Sequence, residues 1–290
     1  MDEQTALARY TTIGTGGPAR FFARPETLDE LRDLLRWAAG EGVSVETIGL
    51  GSNLLVADEG VDALVLKLAG ELAAARVEGT TLIAGGGAPN AVALHRARAA
   101  GLGGFEFASA IPGTAGGGVR MNAGAYGRDW KDVMVEAVVV DAAGTRTLTV
   151  GDLHLSYRHS SIRAGPVVAE VRFALEPRPP DEVKARAAEL LAERKATQPT
   201  NKRTFGSVFK NPGDGPGAGR LIEECGLKGH RIGGAQISPR HANFIENPGG
   251  ATSADCIALM VEARAQVLER FGVQLEHEVQ FLGLLELPPA

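Results

Sequence analysis

The chain has 290 residues, 44% of them hydrophobic and 22% charged, with a formal net charge of -5. That is more than one average domain, with ordinary apolar content for a soluble globular protein. The acidic balance offers no general surface for polyanions, and 5% aromatic residues are too few for a platform that stacks single-stranded nucleic acid.

Residues 19–25 (ARFFARP) read as a strand, followed by LDELRDLLRWAAG with Leu28, Leu31, Leu34, Leu35 and Ala38 on one helical face. Thr27 and Glu30 have capping-box spacing, and Gly40 and Gly42 mark the helix end. A buried strand is expected over 43–50, a loop over 51–60 and a strand over 63–68. Residues 76–85 read as strand, turn, strand, and 90–100 as a short helix ended by Gly101. The stretch 102–127 reads as a long loop. Three strands follow, in VMVEAVVVD, TRTLTV and VVAEVRFALEP. Pro177, Pro179 and Pro180 mark a boundary near 178, and a helix is expected over 181–195. Beyond Pro199 the expectations are a strand or turn in TFGSVFKNP, a helix over 218–227 and two short strands. A long helix from a cap at Thr252 or Ser253 runs to Arg270, with Ile257, Met260, Val261 and Leu268 on one face and Arg264 interrupting it; VQLEHEVQFLG closes the chain as a strand. The fold class is α+β, and the tail LLELPPA is expected to be mobile. MDEQTALARY has no apolar stretch and no run suits a membrane span, so a cytoplasmic protein is expected. Cys225 and Cys256 make no metal or redox motif and read as small hydrophobes of helices. The six histidines lack metal-ligand spacing, so no metal is expected.

Glycine is the compositional outlier, with 38 residues. Twelve fall within 85–127 and eleven within 205–250, against three in 128–204. Glycine without side-chain burial marks places where backbone must turn sharply or approach something closely. Gly49-Leu-Gly51-Ser52-Asn53-Leu54 follows a strand but fails the dinucleotide fingerprint, because Leu54 replaces the third glycine and no long helix follows. It suits either a nest of backbone N–H groups around a phosphate or a plain turn. The run from Phe105 through Ile111-Pro112-Gly113-Thr114 to Asn122 and Gly127 is small almost throughout, as a backbone lying flat against a large ligand would be.

IGLGSNLLV, IPGTAGGGVRMNAGAYG, SYRHSS, FGSVFKNP and LEHEV occur in that order, after an opening YTTIGTGGPA. In these motifs the chain resembles the UDP-N-acetylenolpyruvoylglucosamine reductases (UDP-N-acetylmuramate dehydrogenases, MurB) over nearly its whole length, in the shorter subtype without a tyrosine-bearing lid. The resemblance implies a two-lobed FAD-binding domain of the vanillyl-alcohol oxidase kind, with lobes at 1–64 and 65–178. An α+β substrate-binding domain at 179–290 follows, its last strand able to return to the FAD domain. It implies noncovalent FAD reduced by NADPH, and UDP-N-acetylglucosamine enolpyruvate as the substrate reduced in peptidoglycan precursor synthesis. No nucleic acid, membrane or obligate protein partner is implied.

By the same resemblance, Arg158 holds the substrate carboxylate, Ser207 is the acid that protonates C2, and Glu278 lies by the carboxylate as a neutral hydrogen-bond donor. A second carboxylate there would be pushed toward its neutral form, and a serine suits a strongly basic carbanion-like partner. FAD contacts carry over to Gly49, Gly51, Ser52, Asn53 and Leu54 and to Ile111, Pro112, Gly113, Thr114, Gly117, Asn122 and Gly124. Substrate contacts carry over to Tyr157, Arg194 and Asn211. Lys210 and Arg220 are candidates for the diphosphate, with solvated surface charge the equal alternative. Without the motif order, Ser207 reads as a turn residue, Arg158 as a surface ion pair, and Glu276 with Glu278 as a polar strand face. The family's arginine after Glu-Val is Gln280 here, and His241 carries no assigned role. Another FAD-dependent oxidoreductase of this fold, or a flavin-binding protein without turnover, are the alternatives.

Overall fold

The computed structural model describes residues 1–162, 165–213 and 215–288. The chain forms two compact units that are interleaved in sequence. One comprises residues 1–2, 21–50 and 63–194; the other comprises 3–20, 51–62 and 195–290. Three of the cuts fall inside strands, Asp2–Ala6, Pro18–Ala23 and Val61–Leu66, and a fourth falls inside a helix, between Arg194 and Lys195, rather than at the proline cluster near 178.

In the first unit, helix α1 (Leu28–Gly40) begins at Thr27, whose side chain accepts from Glu30 N–H. The expected box is only half made: the Glu30 carboxylate accepts from Glu26 N–H, one residue before the cap. Leu31, Leu35 and Ala38 are buried, with Phe21 edge-on to Trp37 at 5.1 Å. Strand Val45–Thr47 pairs in parallel with residues 64–66 and is half-buried, where a buried strand was expected. A five-stranded antiparallel sheet runs in the order Gly144–Thr149, Met134–Asp141, Val167–Ala174, Thr81–Gly85, Ala75–Glu78. Helix α2 (Asn90–Ala99) packs on this sheet through Ala93, Leu94 and Ala97. The stretch expected as a loop contains a second helix, α3 (Ala115–Met121). Helix α4 (Pro180–Thr197) contributes Val183 and Leu190 to the same core. Two apolar clusters fill this unit, one around Trp130, Phe105 and Phe173, the other around Leu31, Leu64 and Leu66.

The second unit has its own cluster, which gathers Ile13 and Leu55 with residues 205–279. An antiparallel sheet runs Thr204–Ser207, Phe244–Glu246, Ala235–Ile237, Arg231–Ile232. Helices α5 (Ala218–Glu224) and α6 (Ser253–Phe271) pack together. Thr252 and Asp255 form a full capping box, and Asp58 accepts from Ser253 and Ala254 N–H at 2.9 and 3.0 Å. The buried face of α6 is Cys256, Leu259, Met260, Ala263, Arg264 and Val267, so Arg264 lies within it and Ile257, Val261 and Leu268 sit at its margin. Arg264 donates to Pro288 O, and Leu285 and Leu287 pack on the core. This corrects the expectation of a mobile tail for residues 284–288; Pro289 and Ala290 lie outside the described residues. The expected loop after Gly51 holds a strand, Leu54–Val56, which pairs in parallel with Gln280–Leu282.

Candidate functional site

In the first unit the glycine-rich segment wraps α3, where Thr114 Oγ1 accepts from Gly117 N–H at 3.3 Å. Two glycines of α3 are fixed by packing. A Cβ on Gly118 would lie 2.3 Å from Trp130 Cε2, and one on Gly116 would lie 2.9 Å from Gly86 O. Gly117 differs: an added Cβ would meet nothing closer than its own capping Thr114 Oγ1 at 3.5 Å. Pro112 and Gly117 are exposed, with Ile111 and Gly113 half-buried beside them. Asn90 holds this edge, donating from N to Gly113 O and from Nδ2 to Ile111 O, each at 3.0 Å, while its buried Oδ1 has no hydrogen-bond partner. Gly49 approaches Thr114 so closely that a Cβ would lie 2.8 Å from Oγ1. Lys67 donates to Gly49 O at 2.5 Å, and burial, aided by Arg24, holds its ammonium below the ordinary lysine range. A bare backbone edge with one orphaned buried acceptor fits a large, flat cofactor such as FAD.

Arg158 is carried on a two-residue turn closed by reciprocal Ser156 and His159 backbone bonds of 3.1 Å. Its φ of +54° is left-handed, a conformation costing a non-glycine residue about 1 kcal/mol or more and concentrated at functional sites. Its guanidinium lies 4.9 Å over the Tyr157 ring and donates to Gly124 O at 2.8 Å; Tyr157 is 50% exposed. The turn hangs from the end of α3. Ser160 Oγ donates to Arg120 O at 2.9 Å, and Asn122 Nδ2 donates to Ser156 O at 3.0 Å. Asn122, buried and left-handed, also donates to Asp129 and accepts from Lys131 N–H, so its side chain is fully engaged with the protein. Gly124 is fixed by its neighbour strand, since a Cβ would lie 2.7 Å from Arg128 O. Arg194 is half-buried near Tyr126; burial lowers the arginine and raises the phenol.

In the second unit Ser207 ends a strand interrupted by a register shift, with Gly206 at φ +85°. Such a bulge re-aims the following side chain. Asn243 holds the next residues, accepting from Phe209 N–H at 2.9 Å and donating to Phe209 O at 2.8 Å. On the other side Glu278 N–H donates to Val208 O at 2.9 Å and Lys210 N–H to Glu276 O at 2.8 Å. Ser207 and Glu278, both half-buried, therefore stand on neighbouring backbones. Asn53 Nδ2 and Gln280 Nε2 both donate to Glu278 O, at 3.0 and 3.1 Å. Gln280 thus supports the Glu278 backbone.

The remaining candidates are engaged locally. Lys210 pairs with Glu276 at 2.5 Å, its side chain 19% exposed. Asn211 Oδ1 accepts from Ala218 N–H at the start of α5. Arg220 is a surface residue, 74% exposed and paired with Glu224 at 2.8 Å. His241 Nδ1 accepts from Asn243 N–H at 3.2 Å, and burial holds its imidazole below the ordinary range. Sequence reading passed over Lys67, Asn90 and Asn243; their bonds run to backbone of the motifs rather than to motif side chains, and motif matching carries no signal for that.

Among the described residues there is no cluster of three His, Cys, Asp or Glu able to hold a metal, and no helix is long and apolar enough to cross a membrane. Both cysteines are free thiols; Cys256 is buried in α6 with its pKa pushed up to about 12, and Cys225 caps the end of α5.

Residues 198–282 match the family "UDP-N-acetylenolpyruvoylglucosamine reductase, C-terminal domain", and residues 19–149 match an FAD binding domain. UDP-N-acetylenolpyruvoylglucosamine reductase 2 of Symbiobacterium thermophilum is 46% identical over 96% of this chain and 90% of its own length. The reductase of Anaeromyxobacter dehalogenans is 45% identical over 98% and 85%. The crystal structure of the Thermus caldophilus reductase superposes with a TM-score of 0.84 at 37% identity, covering 97% of this chain and 98% of that one.

Proposed function

The chain belongs to the UDP-N-acetylenolpyruvoylglucosamine reductase family, and from that premise we propose that it reduces UDP-N-acetylglucosamine enolpyruvate to UDP-N-acetylmuramate with NADPH and bound FAD. The observation that supports the reading is the bond from Glu278 N–H to the carbonyl of Val208, the residue after Ser207, which sets the backbones around two of the three expected catalytic residues side by side. Residues 1–64, proposed as the first FAD lobe, are divided between the two units, and the cluster around Leu31 also takes Val140, Val167 and Ala169 from the proposed second lobe.

The loops at 49–54 and 111–117 would hold FAD, which when bound supplies the hydride taken from NADPH. Reduction at C3 of the enolpyruvyl ether leaves negative charge on C2 and the adjoining carboxylate. Arg158, fixed by its Gly124 bond, offers a preorganised cation to that carboxylate. Glu278 donates a hydrogen bond beside it. Ser207 holds the proton that goes to C2, and the Gly206 bulge aims its hydroxyl. Asn122 and Gly124 act behind the Arg158 turn rather than on a ligand. Lys210, with a mostly covered side chain, suits the diphosphate better than exposed Arg220. The substrate is a small molecule, and no feature of the described residues calls for a membrane span.

The test is NADPH oxidation by the purified, flavin-loaded protein with and without the enolpyruvyl sugar nucleotide. Oxidation that depends on it and yields UDP-N-acetylmuramate is expected. A yellow protein that consumes NADPH equally without it, or not at all, overturns the proposal.

A further inference from the structure

The geometry points to Thr12 as a positioning residue for the strand that bears Ser207, an inference that rests on the acid role proposed for that serine. Thr12 N–H donates to Gly51 O at 3.1 Å, and its hydroxyl lies 3.1 Å from the same carbonyl and 2.6 Å from Thr204 O. A hydroxyl has one proton to give. Gly51 O already receives an N–H, so the proton goes to the nearer Thr204 O.

Thr204 opens the four-residue strand that ends in Ser207. Between them the ladder slips register, and Gly206 takes its left-handed φ. Pairing with Phe244–Glu246 therefore holds the ends of this segment, and Gly206 N–H donates to Thr204 Oγ1 at 3.3 Å inside it, so the bulge depends on how Thr204 is held and on fixing points outside the strand. The Thr12 hydroxyl is one such fixing point. The loop at Gly51 is another. An added Cβ on Gly51 would lie 2.0 Å from Tyr10 O, and one on Gly206 would lie 3.2 Å from Ser52 O. Residues 10–12 thus tie the Gly51–Ser52 turn, a proposed flavin loop, to the bulge that aims Ser207. Neither ligand nor reacting atom touches Thr12 in this scheme; it acts through backbone.

The experiment compares Thr12→Val, which keeps the shape and deletes the hydroxyl, with Thr12→Ser, which keeps the hydroxyl. Stopped-flow separates reduction of the flavin by NADPH from its reoxidation by the enolpyruvyl sugar nucleotide. In Thr12→Val the first rate stays within about twofold of wild type and the second falls about fivefold to tenfold, the worth of one hydrogen bond. Thr12→Ser restores it. In protein stripped of flavin, amide exchange over 204–207 is faster in Thr12→Val and normal in Thr12→Ser. Equal losses in both half-reactions, no loss in either, or failure of serine to restore the second overturns the inference. If wild type is not reoxidised by the sugar nucleotide, the proposed function is what fails; the exchange comparison then decides the role of Thr12 alone, and unchanged exchange rejects it.

Discussion

Gly117 and Gly118 are adjacent in α3, yet a methyl group added to each should have opposite effects. At Gly118 the new Cβ would lie 2.3, 2.5 and 2.6 Å from three atoms of the Trp130 indole. That ring is fully buried and hemmed by Phe105, Phe107 and Phe173, with centroids 5.3, 5.6 and 6.0 Å away. It has nowhere to retreat, so Gly118→Ala costs about 3 kcal/mol of overpacking. Replacing glycine by alanine in a helix returns about 1 kcal/mol. The net loss is about 2 kcal/mol, a fall in Tm of roughly 3 °C for a chain of this size. At Gly117 the methyl meets only Thr114 Oγ1 at 3.5 Å, so the helix gain stands without the clash. Flavin-free Gly117→Ala should melt at or slightly above wild type. It should also bind FAD at least about tenfold more weakly, a loss of about 1.4 kcal/mol, because the methyl occupies the proposed cofactor face. Differential scanning calorimetry of the stripped proteins, with and without added FAD, reads both effects, since a ligand bound only to the folded state raises Tm by mass action. A Gly117→Ala protein that is destabilised like Gly118→Ala, or that takes up FAD like wild type, refutes the assignment of this face.

Ser207→Ala should leave reduction of the flavin by NADPH near wild type while product formation falls by two orders of magnitude or more, on the order of the contribution of an acid in place; normal turnover removes Ser207 from the mechanism. The depressed pKa of His241 means that the unfolded chain binds more protons than the fold as pH falls below the ordinary value of 6.5. Its contribution is complete above that value and is lost on acidification toward the folded pKa, where protonation also breaks the bond from Asn243 N–H. His241→Gln should therefore flatten the decline of the denaturation midpoint between pH 7 and 5, and an unchanged slope assigns the decline to other groups. Asp58→Ala uncouples two N–H groups at the start of α6 and should cost about 1 kcal/mol in urea titrations at neutral pH. Equal midpoints would show that Thr252 and Asp255 suffice.

Elements whose cause is local were readable in the sequence. Thr27 announced α1 because a cap, an apolar stripe and a terminal glycine lie within one short window. Helix α3 was not readable, because AGGGVRM has poor helix propensity and forms where Gly116 and Gly118 let it sit against Gly86 and Trp130. Its one local sign was Thr114 in a capping position. The strand Leu54–Val56 was missed for a similar reason: three residues carry no periodicity, and its partner lies at the other end of the chain. Arg264 looked like a break in the α6 face, whereas the carbonyl of Pro288 lets it be buried there. At the site, motif order singled out Ser207, Glu278 and Arg158, but not how side chains divide between ligand and scaffold. Asn122 and Asn53 stand in the right motifs yet direct their amides at the protein's own carbonyls.

The late strand Gln280–Leu282 lies beside Leu54–Val56, and this sets an order for synthesis on the ribosome. The first unit has all its residues once Arg194 is made. The second must keep Ile13 and the strand Leu54–Val56 waiting while most of the chain is translated, because their core and sheet partners arrive last. Cutting the gene at the 198–282 family boundary would yield a fragment without Ile13 and Leu55, hence without part of its own core. Supplying residues 1–62 in trans would not mend it cleanly, since strand Val61–Leu66 would be severed. A translation pause or truncation near the C-terminus should therefore leave the first unit folded and the second exposed to proteases.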